Sequence, residues 1–403
     1  MGPVWPGVPL GWPGVPLGEP ARPMTLLSLM SDTSLDGMDV VIVDLHDDGA
    51  RLAWDVRERH AARYPADLRA RLVAALGEGG SDVAMLTQLH AEIGHAYAAL
   101  CGPLTDRVAV DLVALSGQNV YHVPRVDPAR GWRTTSTLQL GEAALVLERC
   151  RVPVACDFRQ SDMAAGGQGA PMVSYGDLRL HARRGVARAV HNLGGISNLT
   201  WLPPDGDASA VIAFDTGPGN CLMDEAVTRT TCAEYDAGGR MAASGRVDEA
   251  LLEALLRHPY LKLPFPKTTG RELFSLERTL REAGADPDDL PPDDLVATLT
   301  ALTAASIAAA YGLLRADRAL DEVLLAGGGA ANPTLVAMLR ERLDVPVRTF
   351  EEIGMVSTDR EVLAFAVMAY DGFHGRAGTL PAATGARRPV VAGKYLWPTP
   401  VAP

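Results

Sequence analysis

The chain has 403 residues, of which 47% are hydrophobic and 21% are charged, and its formal net charge is −12. This composition is typical of a globular protein, and the length provides for two domains with full cores. The negative charge argues against a nucleic-acid-binding protein, and five cysteines without a C-x-x-C pair indicate neither a disulfide framework nor a zinc site. Reduced cysteines fit a cytoplasmic protein.

The chain starts with a segment rich in proline and glycine. The heptapeptide WPGVPLG occurs twice in tandem, at residues 5–11 and 12–18. Its prolines prevent a helix, and the segment lacks the basic start of a signal peptide. We therefore predict a disordered tail over residues 1–23.

Two parts of the chain share one strand pattern. Residues 26–45 and 189–202 each predict two strands joined by a tight turn. Residues 109–118 and 210–219 each predict a third strand that ends in a loop of small residues, and helical patterns follow. The repetition predicts an α/β fold with two similar, ribonuclease-H-like domains around a cleft. This plan resembles the actin and hexokinase superfamily, in which two such turns face the phosphates of ATP, although two ordinary hairpins would show the same pattern.

Three further segments predict elements late in the chain. Residues 295–316 are apolar but contain threonines, a serine and an arginine, which favours a buried helix over a membrane span. Residues 324–343 predict a strand, a turn of three glycines and a helix that opens at Asn332. That turn lacks the spacing of a Walker A or Rossmann loop, and it suits either a nucleotide's adenosine or a plain strand-to-helix connection. Residues 357–370 predict a helix that packs on the first domain.

The densest group of polar residues beside glycines lies at residues 156–172, CDFRQSDMAAGGQGAPM. It places Asp157, Arg159 and Asp162 next to a glycine-rich loop. Glycines leave room for a ligand near a carboxylate, and a carboxylate in such a site can act as a general base. An aspartate beside glycines can equally cap a turn or a helix.

From about residue 26 to residue 370, the sequence is similar to the bacterial anhydro-N-acetylmuramic acid kinase family. The similarity rests on several long motifs in the same order, which is more specific than any single motif. They include LMSDTSLDGMD, STLQLGEAALVLERC, DFRQSDMAAGGQGAPM, HNLGGISNLT, AFDTGPGNCLMDEAV, PFPKTTGRELF, LLAGGGAANPTL and REVLAFAVMAY.

The resemblance implies an ATP-dependent kinase of peptidoglycan recycling. Such an enzyme opens 1,6-anhydro-N-acetylmuramic acid with water and phosphorylates O6, which gives N-acetylmuramic acid 6-phosphate and ADP. The family's catalytic base corresponds to Asp162 in this sequence. The resemblance also implies Mg²⁺ as a cofactor, a cytoplasmic location, no membrane or nucleic-acid partner, and a homodimer by analogy.

The resemblance further implies the binding residues. For ATP they are Asp32, Thr33, Ser34, Leu35, Asp36, Gly37, Met38, Asp39, Gly194, Gly195, Asn198, Asp215, Thr216, Gly217, Gly219, Asn220, Gly327, Gly328, Gly329 and Asn332. For the sugar they are Gln118, Gln139, Arg159, Gln168 and Glu361, and for the metal Asp36 and Asp39. Domain I would comprise residues 24–187 and 353–385, and domain II residues 188–352. Residues 386–403 would form a C-terminal tail.

The sequence departs from the family pattern at four positions. Asp32 and Ser28 stand where the family has glycine, and Ser116 and Asn119 stand in SGQNVYH where the family usually reads HGQTVxH. A carboxylate at Asp32 would lie near the phosphates of ATP. Two other functions therefore stay open: a kinase of the same fold for another amino sugar, and a nucleotide-binding protein with weakened catalysis.

Overall fold

The computed structural model describes residues 21–31, 35, 37–49, 51–77, 80–270 and 272–399. It has thirteen strands: β1 (Ala21–Ser31), β2 (Gly37–Asp47), β3 (Leu52–Arg63), β4 (Leu112–Leu115), β5 (Gln118–Val123), β6 (Ser136–Leu140), β7 (Val154–Cys156), β8 (Arg188–Leu193), β9 (Ile196–Leu202), β10 (Ile212–Pro218), β11 (Glu322–Ala326), β12 (Val347–Thr349) and β13 (Lys394–Leu396).

The α-helices of the same described residues run in chain order as follows: α1 (Ala66–Leu76), α2 (Val83–Arg107), α3 (Ala143–Cys150), α4 (Phe158–Ala164), α5 (Val173–His181), α6 (Cys221–Thr230), α7 (Arg240–Ser244), α8 (Glu249–Leu255), α9 (Leu276–Ala283), α10 (Pro292–Arg315), α11 (Pro333–Arg342), α12 (Asp359–Phe373) and α13 (Pro381–Thr384).

The chain divides into two compact units. Unit 1 comprises Met1–Leu180 and Asp359–Pro403, and unit 2 comprises His181–Thr358. The boundaries expected from the sequence lie a few residues away, at 187/188 and 352/353. Each unit has its own hydrophobic core, built on one face of a sheet by alternate apolar side chains of its strands.

The two units repeat one sheet topology. The main sheet of unit 1 has the order β13-β7-β4-β1-β2-β3, and that of unit 2 has the order β10-β9-β8-β11-β12. In each, the first three strands pair antiparallel and the next two run parallel to the first. This duplicated five-strand order is that of ribonuclease-H-like domains, so the predicted fold class is confirmed.

The sequence-based prediction that residues 109–118 form the third strand of the first domain is wrong. The strand that follows the first hairpin is β3, which pairs antiparallel with β2 along its whole length. Residues 109–118 instead contribute β4, which runs parallel to β1 and corresponds to β11 of unit 2. Strand β3 is half-exposed, and charged and apolar residues alternate along it. It therefore lacks the continuous apolar run that makes β4 recognisable as a strand in the sequence.

Both predicted tails need correction. Residues 21–23 belong to β1, while the rest of the expected N-terminal tail lies outside the described residues. The prediction of a C-terminal tail at residues 386–403 is wrong for the described part, because β13 pairs with β7 at the edge of the unit 1 sheet. Ala386, Val390 and Ala392, which precede β13, are buried. The burial of these apolar side chains stabilises the folded C-terminal segment, which a disordered tail would not gain.

Helices α10 and α12 are central to the two units. Helix α10 is long and apolar enough to cross a membrane by length and composition alone, but most of it is buried in the core of unit 2. The prediction of a buried helix is therefore confirmed. Helix α12 packs on β1, β2 and β4, as expected for the helix predicted at residues 357–370, and the hydroxyl of Ser28 donates to the carbonyl of Val362 at 2.7 Å.

Candidate active site

Asp162 lies on the short helix α4, directly after β7, and it is fully buried. Its carboxylate accepts two hydrogen bonds. The backbone N–H of Gly169 donates to Oδ2 at 2.8 Å, and the hydroxyl of Thr384 donates to Oδ1 at 2.7 Å. Two donors stabilise the charged form of a buried carboxylate and fix its orientation. Each oxygen keeps one lone pair, so the group can still accept a proton.

The loop that follows α4 wraps the Asp162 carboxylate. A Cβ atom added to Gly167 would stand 2.2 Å from Asp162 Oδ2, so only glycine allows the backbone to approach this closely. Arg159 Nη1 donates to the carbonyl of Gly169 at 2.7 Å, which ties the helix to the end of the loop. The loop is therefore part of the surroundings that bury the Asp162 carboxylate.

Two sugar-site residues of the prediction, Arg159 and Gln168, lie near Asp162, and a third, Glu361, interacts by its charge with Arg159. Gln168 is part of the loop itself, and Arg159 is one turn before Asp162 on α4. Burial lowers the pKa of the Arg159 guanidinium, and the negative charge of Glu361 on α12 partly opposes this shift. Beside Glu361, Arg360 forms a buried bidentate ion pair with Asp177 at 2.9 and 2.6 Å, which fixes the start of α12 in unit 1.

Gln118 and Gln139 lie at the same end of a separate ribbon formed by β5 and β6, where Gln118 pairs with Leu140 and Gln139 pairs with Asn119. Gln139 Nε2 donates to Asn119 Oδ1 at 2.8 Å and to Thr137 Oγ1 at 2.7 Å. Its Oε1 atom is buried and has no hydrogen-bond partner among the described residues. An unpaired buried acceptor is costly, so this atom is available to a donor on a ligand.

His122 is a residue of this region that the sequence-based selection missed. Its Nδ1 atom lies 3.0 Å from the Thr137 hydroxyl, and burial, together with the positive charge of Arg159, lowers the pKa of the imidazole. His122 is the last residue of the SGQNVYH motif, and its place in that motif is the sequence feature that could have indicated it as a candidate site residue. Asn119 belongs to the same motif and holds the Gln139 amide.

The first phosphate loop is described only in part. Asp32, Thr33, Ser34 and Asp36 lie outside the described residues, as does Arg271 of the PKTTGREL motif. Leu35 is buried with a left-handed φ of 57°, and Gly37, Met38 and Asp39 begin β2. Ser116 lies where the family usually has histidine, and its hydroxyl oxygen accepts the N–H of Ser31 at 3.2 Å, at the start of the loop.

In unit 2 the turn between β8 and β9 meets the end of β10. The N–H groups of Gly219 and Asn220 donate to the carbonyls of Gly195 and Gly194 at 2.9 and 2.8 Å. Asn220 Nδ2 donates to the carbonyl of Leu193 at 3.0 Å, while its buried Oδ1 atom has no hydrogen-bond partner in the described part of the chain. The two predicted phosphate segments of this unit are therefore in direct contact.

The glycine triplet after β11 lies against the same place. A Cβ atom on Gly327 would stand 2.4 Å from Asn192 Oδ1, and one on Gly329 would stand 2.6 Å from Asn220 Oδ1. A Cβ atom on Gly219 would stand 2.1 Å from the Gly194 carbonyl oxygen. Three glycine segments that are far apart in sequence thus pack closely together, at distances that a side chain would prevent.

Several residues that are predicted to bind the nucleotide already form hydrogen bonds within unit 2. Thr216 is buried, and its hydroxyl lies 2.9 Å from Ser197 Oγ, which in turn lies 2.6 Å from His191 Nε2. Asn332 caps α11 through its Oδ1 atom, which accepts the Leu335 N–H at 3.0 Å. These side chains therefore have structural roles in the described part of unit 2.

Asp215 and the neighbouring Lys267 also serve the local structure. Asp215 Oδ2 accepts from Thr268 Oγ1 and from the Thr269 N–H, both at 2.9 Å. Burial raises the pKa of Asp215, against the lowering effect of these two donors. Lys267 Nζ donates to the carbonyls of Tyr260 and Leu261, and burial lowers its pKa. The PKTTGREL motif is therefore hydrogen-bonded to β10 through Asp215.

A metal site formed by protein side chains alone is not visible in the described residues, where no group of three or more His, Cys, Asp or Glu side chains converges. Asp39 is exposed on β2, and Asp36 is outside the description. Mg²⁺ is often bound by one or two carboxylates together with substrate phosphates, so this donor set fits a metal carried by a nucleotide.

Comparison with known proteins identifies a matching family and several relatives of similar sequence. The sequence model of the family described as anhydro-N-acetylmuramic acid kinase matches residues 24–398. The anhydro-N-acetylmuramic acid kinase of Streptomyces avermitilis is 43% identical over 382 residues, which are 92% of this chain and 94% of that protein. The enzyme of the same name from Caldanaerobacter subterraneus is 36% identical and covers 92% of this chain and 96% of its own length.

Among solved structures, the activator of 2-hydroxyisocaproyl-CoA dehydratase from Clostridium difficile with bound ADPNP aligns with a TM-score of 0.41 at 12% identity. The alignment covers 87% of this chain and 96% of that one. This likeness is too distant to carry any conclusion about function.

Proposed function

The chain belongs to the anhydro-N-acetylmuramic acid kinase family, and on that premise we propose that it uses ATP to convert 1,6-anhydro-N-acetylmuramic acid to N-acetylmuramic acid 6-phosphate. The observation that carries the proposal is the intact block around Asp162, FRQSDMAAGGQGAP, within a family match that spans residues 24–398. The reaction belongs to the recycling of peptidoglycan sugars, in the cytoplasm.

The chemical step requires a base, and Asp162 supplies it. Its carboxylate takes a proton from the water that attacks the anomeric carbon, and the bond from that carbon to the bridging oxygen breaks. The freed O6 attacks the γ-phosphorus of ATP, and ADP leaves with the electron pair of the broken P–O bond. The fixed orientation of the Asp162 carboxylate supports this role, because positioning supplies much of the rate in such reactions.

The sugar would bind to residues of unit 1. Arg159, Gln168 and Glu361 lie around the Asp162 loop or on α12, and Gln118 and Gln139 lie on the β5–β6 ribbon. The unpaired Oε1 atom of Gln139 suits a sugar hydroxyl or amide N–H. The guanidinium of Arg159 suits the carboxylate of the lactyl group, because guanidinium and carboxylate form paired hydrogen bonds.

ATP would bind to the glycine segments of unit 2 and to the loop of residues 32–39 in unit 1. The turn at Gly194 and Gly195 would offer backbone N–H groups to phosphate oxygens, and the segment of Gly217 to Asn220 would hold that turn in place through the Gly219 and Asn220 N–H groups. The triplet of Gly327, Gly328 and Gly329 would hold the adenosine. Asp36 and Asp39 would orient Mg²⁺, whose chemistry when bound is to neutralise charge on the β- and γ-phosphates.

The test is to incubate the purified chain with Mg-ATP and 1,6-anhydro-N-acetylmuramic acid and to follow ADP release and the sugar by mass spectrometry. We expect ADP and sugar product in equal amounts, with the sugar heavier by one phosphoryl group and one water. ADP release without that product, or no turnover at saturating ATP, would reject the proposal. Assays with other amino sugars would then separate a kinase for another amino sugar, which turns one of them over, from a nucleotide-binding protein with weakened catalysis, which binds ATP but turns over none.

A further inference from the structure

The partner of Asp162 that the sequence did not indicate is Thr384, 222 residues further along the chain. Thr384 ends α13, in the segment between α12 and β13, and it is 1% exposed. Its hydroxyl is one of the two groups that donate to the carboxylate, and the other is a backbone N–H. Thr384 is therefore the side chain whose substitution can change how this carboxylate is held.

The direction of the Thr384 hydroxyl follows from its surroundings. A hydroxyl has one proton to donate. The Asp162 Oδ1 atom lies 2.7 Å from Thr384 Oγ1, whereas the alternative acceptor, the carbonyl of Leu380, lies 3.3 Å away. The N–H of Ala386 points to the same Oγ1 atom at 3.4 Å and uses it as an acceptor. The proton is thus committed to the charged carboxylate, which is the stronger acceptor.

The backbone beside Thr384 holds the loop that encloses Asp162. The N–H of Gln168 donates to the Thr384 carbonyl at 2.8 Å, and the N–H of Arg387 donates to the Ala165 carbonyl at 3.0 Å. Ala165 also packs with Ala386 and Val390 in a small buried cluster. The C-terminal segment is therefore attached to both ends of the glycine-rich loop, and its hydroxyl reaches between them to the carboxylate.

We propose that Thr384 is a positioning residue for the reaction, and that it orients the Asp162 carboxylate as the base that receives the proton of the attacking water. The inference rests on the proposed function. The hydroxyl keeps Oδ1 fixed while the Gly169 N–H keeps Oδ2 fixed, so the carboxylate cannot rotate. A displacement of about 1 Å in a reacting group can reduce a rate by about a hundredfold. Thr384 touches neither substrate in this role.

The test compares Thr384→Val, which replaces the hydroxyl with a methyl group of similar size, with Thr384→Ser, which keeps the hydroxyl. Thr379→Val is the matched control, because Thr379 is a buried threonine of the same segment whose hydroxyl accepts the Val390 N–H at 3.1 Å. For each variant and the wild type, kcat and the KM for each substrate are measured, with thermal unfolding recorded alongside.

We expect Thr384→Val to lower kcat by about ten- to a hundredfold, with both KM values within about twofold of wild type. Thr384→Ser should restore most of kcat, and Thr379→Val should leave kcat near wild type even if it lowers the unfolding temperature. An unchanged kcat in Thr384→Val, or an equal loss in Thr379→Val, would overturn the inference. If Thr384→Val does not fold, Thr384→Ala is judged by the same criteria. A wild-type chain without turnover would overturn the proposed function and the inference with it.

Discussion

At the scale of single residues, two departures from the family pattern have local partners. The hydroxyl of Ser28, where the family has glycine, donates to the Val362 carbonyl and so joins β1 to α12. Ser116, where the family usually has histidine, accepts the N–H of Ser31. Both serines are buried, and their polar atoms are satisfied. These two changes are therefore compatible with the fold of unit 1.

The substitution Asp162→Asn tests the base directly. An amide cannot take a proton from water, so we expect kcat to fall by about a hundred- to ten-thousandfold. The affinity for ATP should stay the same, because the hydrogen bonds of the Asp162 carboxylate go to Gly169 and Thr384, neither of which is among the residues proposed to bind ATP. Both quantities are measured, by ADP release and by calorimetric titration.

The control is Asp157→Asn. Asp157 directly precedes α4, the helix that carries Asp162, but its carboxylate forms an ion pair with the exposed Lys394 at 2.7 Å. Its loss should leave kcat within about threefold of wild type, since exposed ion pairs contribute little. Equal activity of the two variants would exclude Asp162 as the base.

A second prediction at this scale concerns Asp32, which lies outside the described residues. Two like charges about 5 Å apart repel by about 1–3 kcal/mol at an effective dielectric constant near 20–60. Asp32→Gly removes the carboxylate and restores the family residue, so we expect tighter ATP binding. Calorimetric titration with ATP measures the change, and unchanged or weaker binding would refute the repulsion.

At the scale of elements, the glycine segments of unit 2 depend on one another. The turn between β8 and β9, the end of β10 and the triplet after β11 approach within distances that a Cβ atom would prevent. The sequence indicated each turn separately, from glycine and from the change of periodicity. Their mutual contact depends on β11 lying next to β8 in the sheet, a pairing of strands more than a hundred residues apart.

Gly219→Ala tests this dependence. Its Cβ would stand 2.1 Å from the Gly194 carbonyl oxygen, so the two proposed phosphate segments must separate. We expect ATP affinity to fall by about tenfold or more, because the N–H groups lose their common orientation. The control is Gly312→Ala on α10, where an added Cβ meets nothing within 4 Å. ATP titration that shows equal affinity for both variants would contradict the prediction.

At the scale of the whole molecule, unit 1 is joined from distant parts of the chain by a buried cluster of charges. Asp47 at the end of β2 accepts from Arg179 Nη2 at 2.6 Å and from Arg376 Nη1 at 2.5 Å. Arg179 also pairs with Asp371 on α12 at 2.9 Å. Asp47, Asp371 and Arg376 are all at most 2% exposed, so these charges depend on one another for stabilisation.

This cluster gives unit 1 a predictable dependence on pH. Burial acts to raise the pKa of Asp47, but the Gly49 N–H and the guanidiniums of Arg179 and Arg376 outweigh it and hold the pKa below its ordinary value of 3.8. A lowered pKa in the folded state means that the stabilisation is complete above pH 3.8. It is lost as the pH falls through the pKa of the folded state.

Asp47→Asn should therefore lower the free energy of unfolding by about 3 kcal/mol or more at pH 7. The difference from wild type should shrink as the pH falls below 3.8, and urea unfolding at pH 7 and at several pH values down to 3 measures it. Asp44→Asn, on the same strand but in a partly exposed pair with Arg57, should change stability little. A difference that stays constant across this range would contradict the linkage.

The sequence alone determined the family, the two-domain α/β class and the glycine turns, because motifs and local periodicity are properties of neighbouring residues. It also predicts Asp162 as the catalytic base, although its position beside glycines is equally compatible with a capping residue. Only the tertiary structure decided that β3 is the third strand, that β13 completes the unit 1 sheet, and that Thr384 contacts Asp162. These features join residues distant in sequence through hydrogen bonds and burial, and no local pattern specifies which distant partner a strand edge or a buried carboxylate will meet.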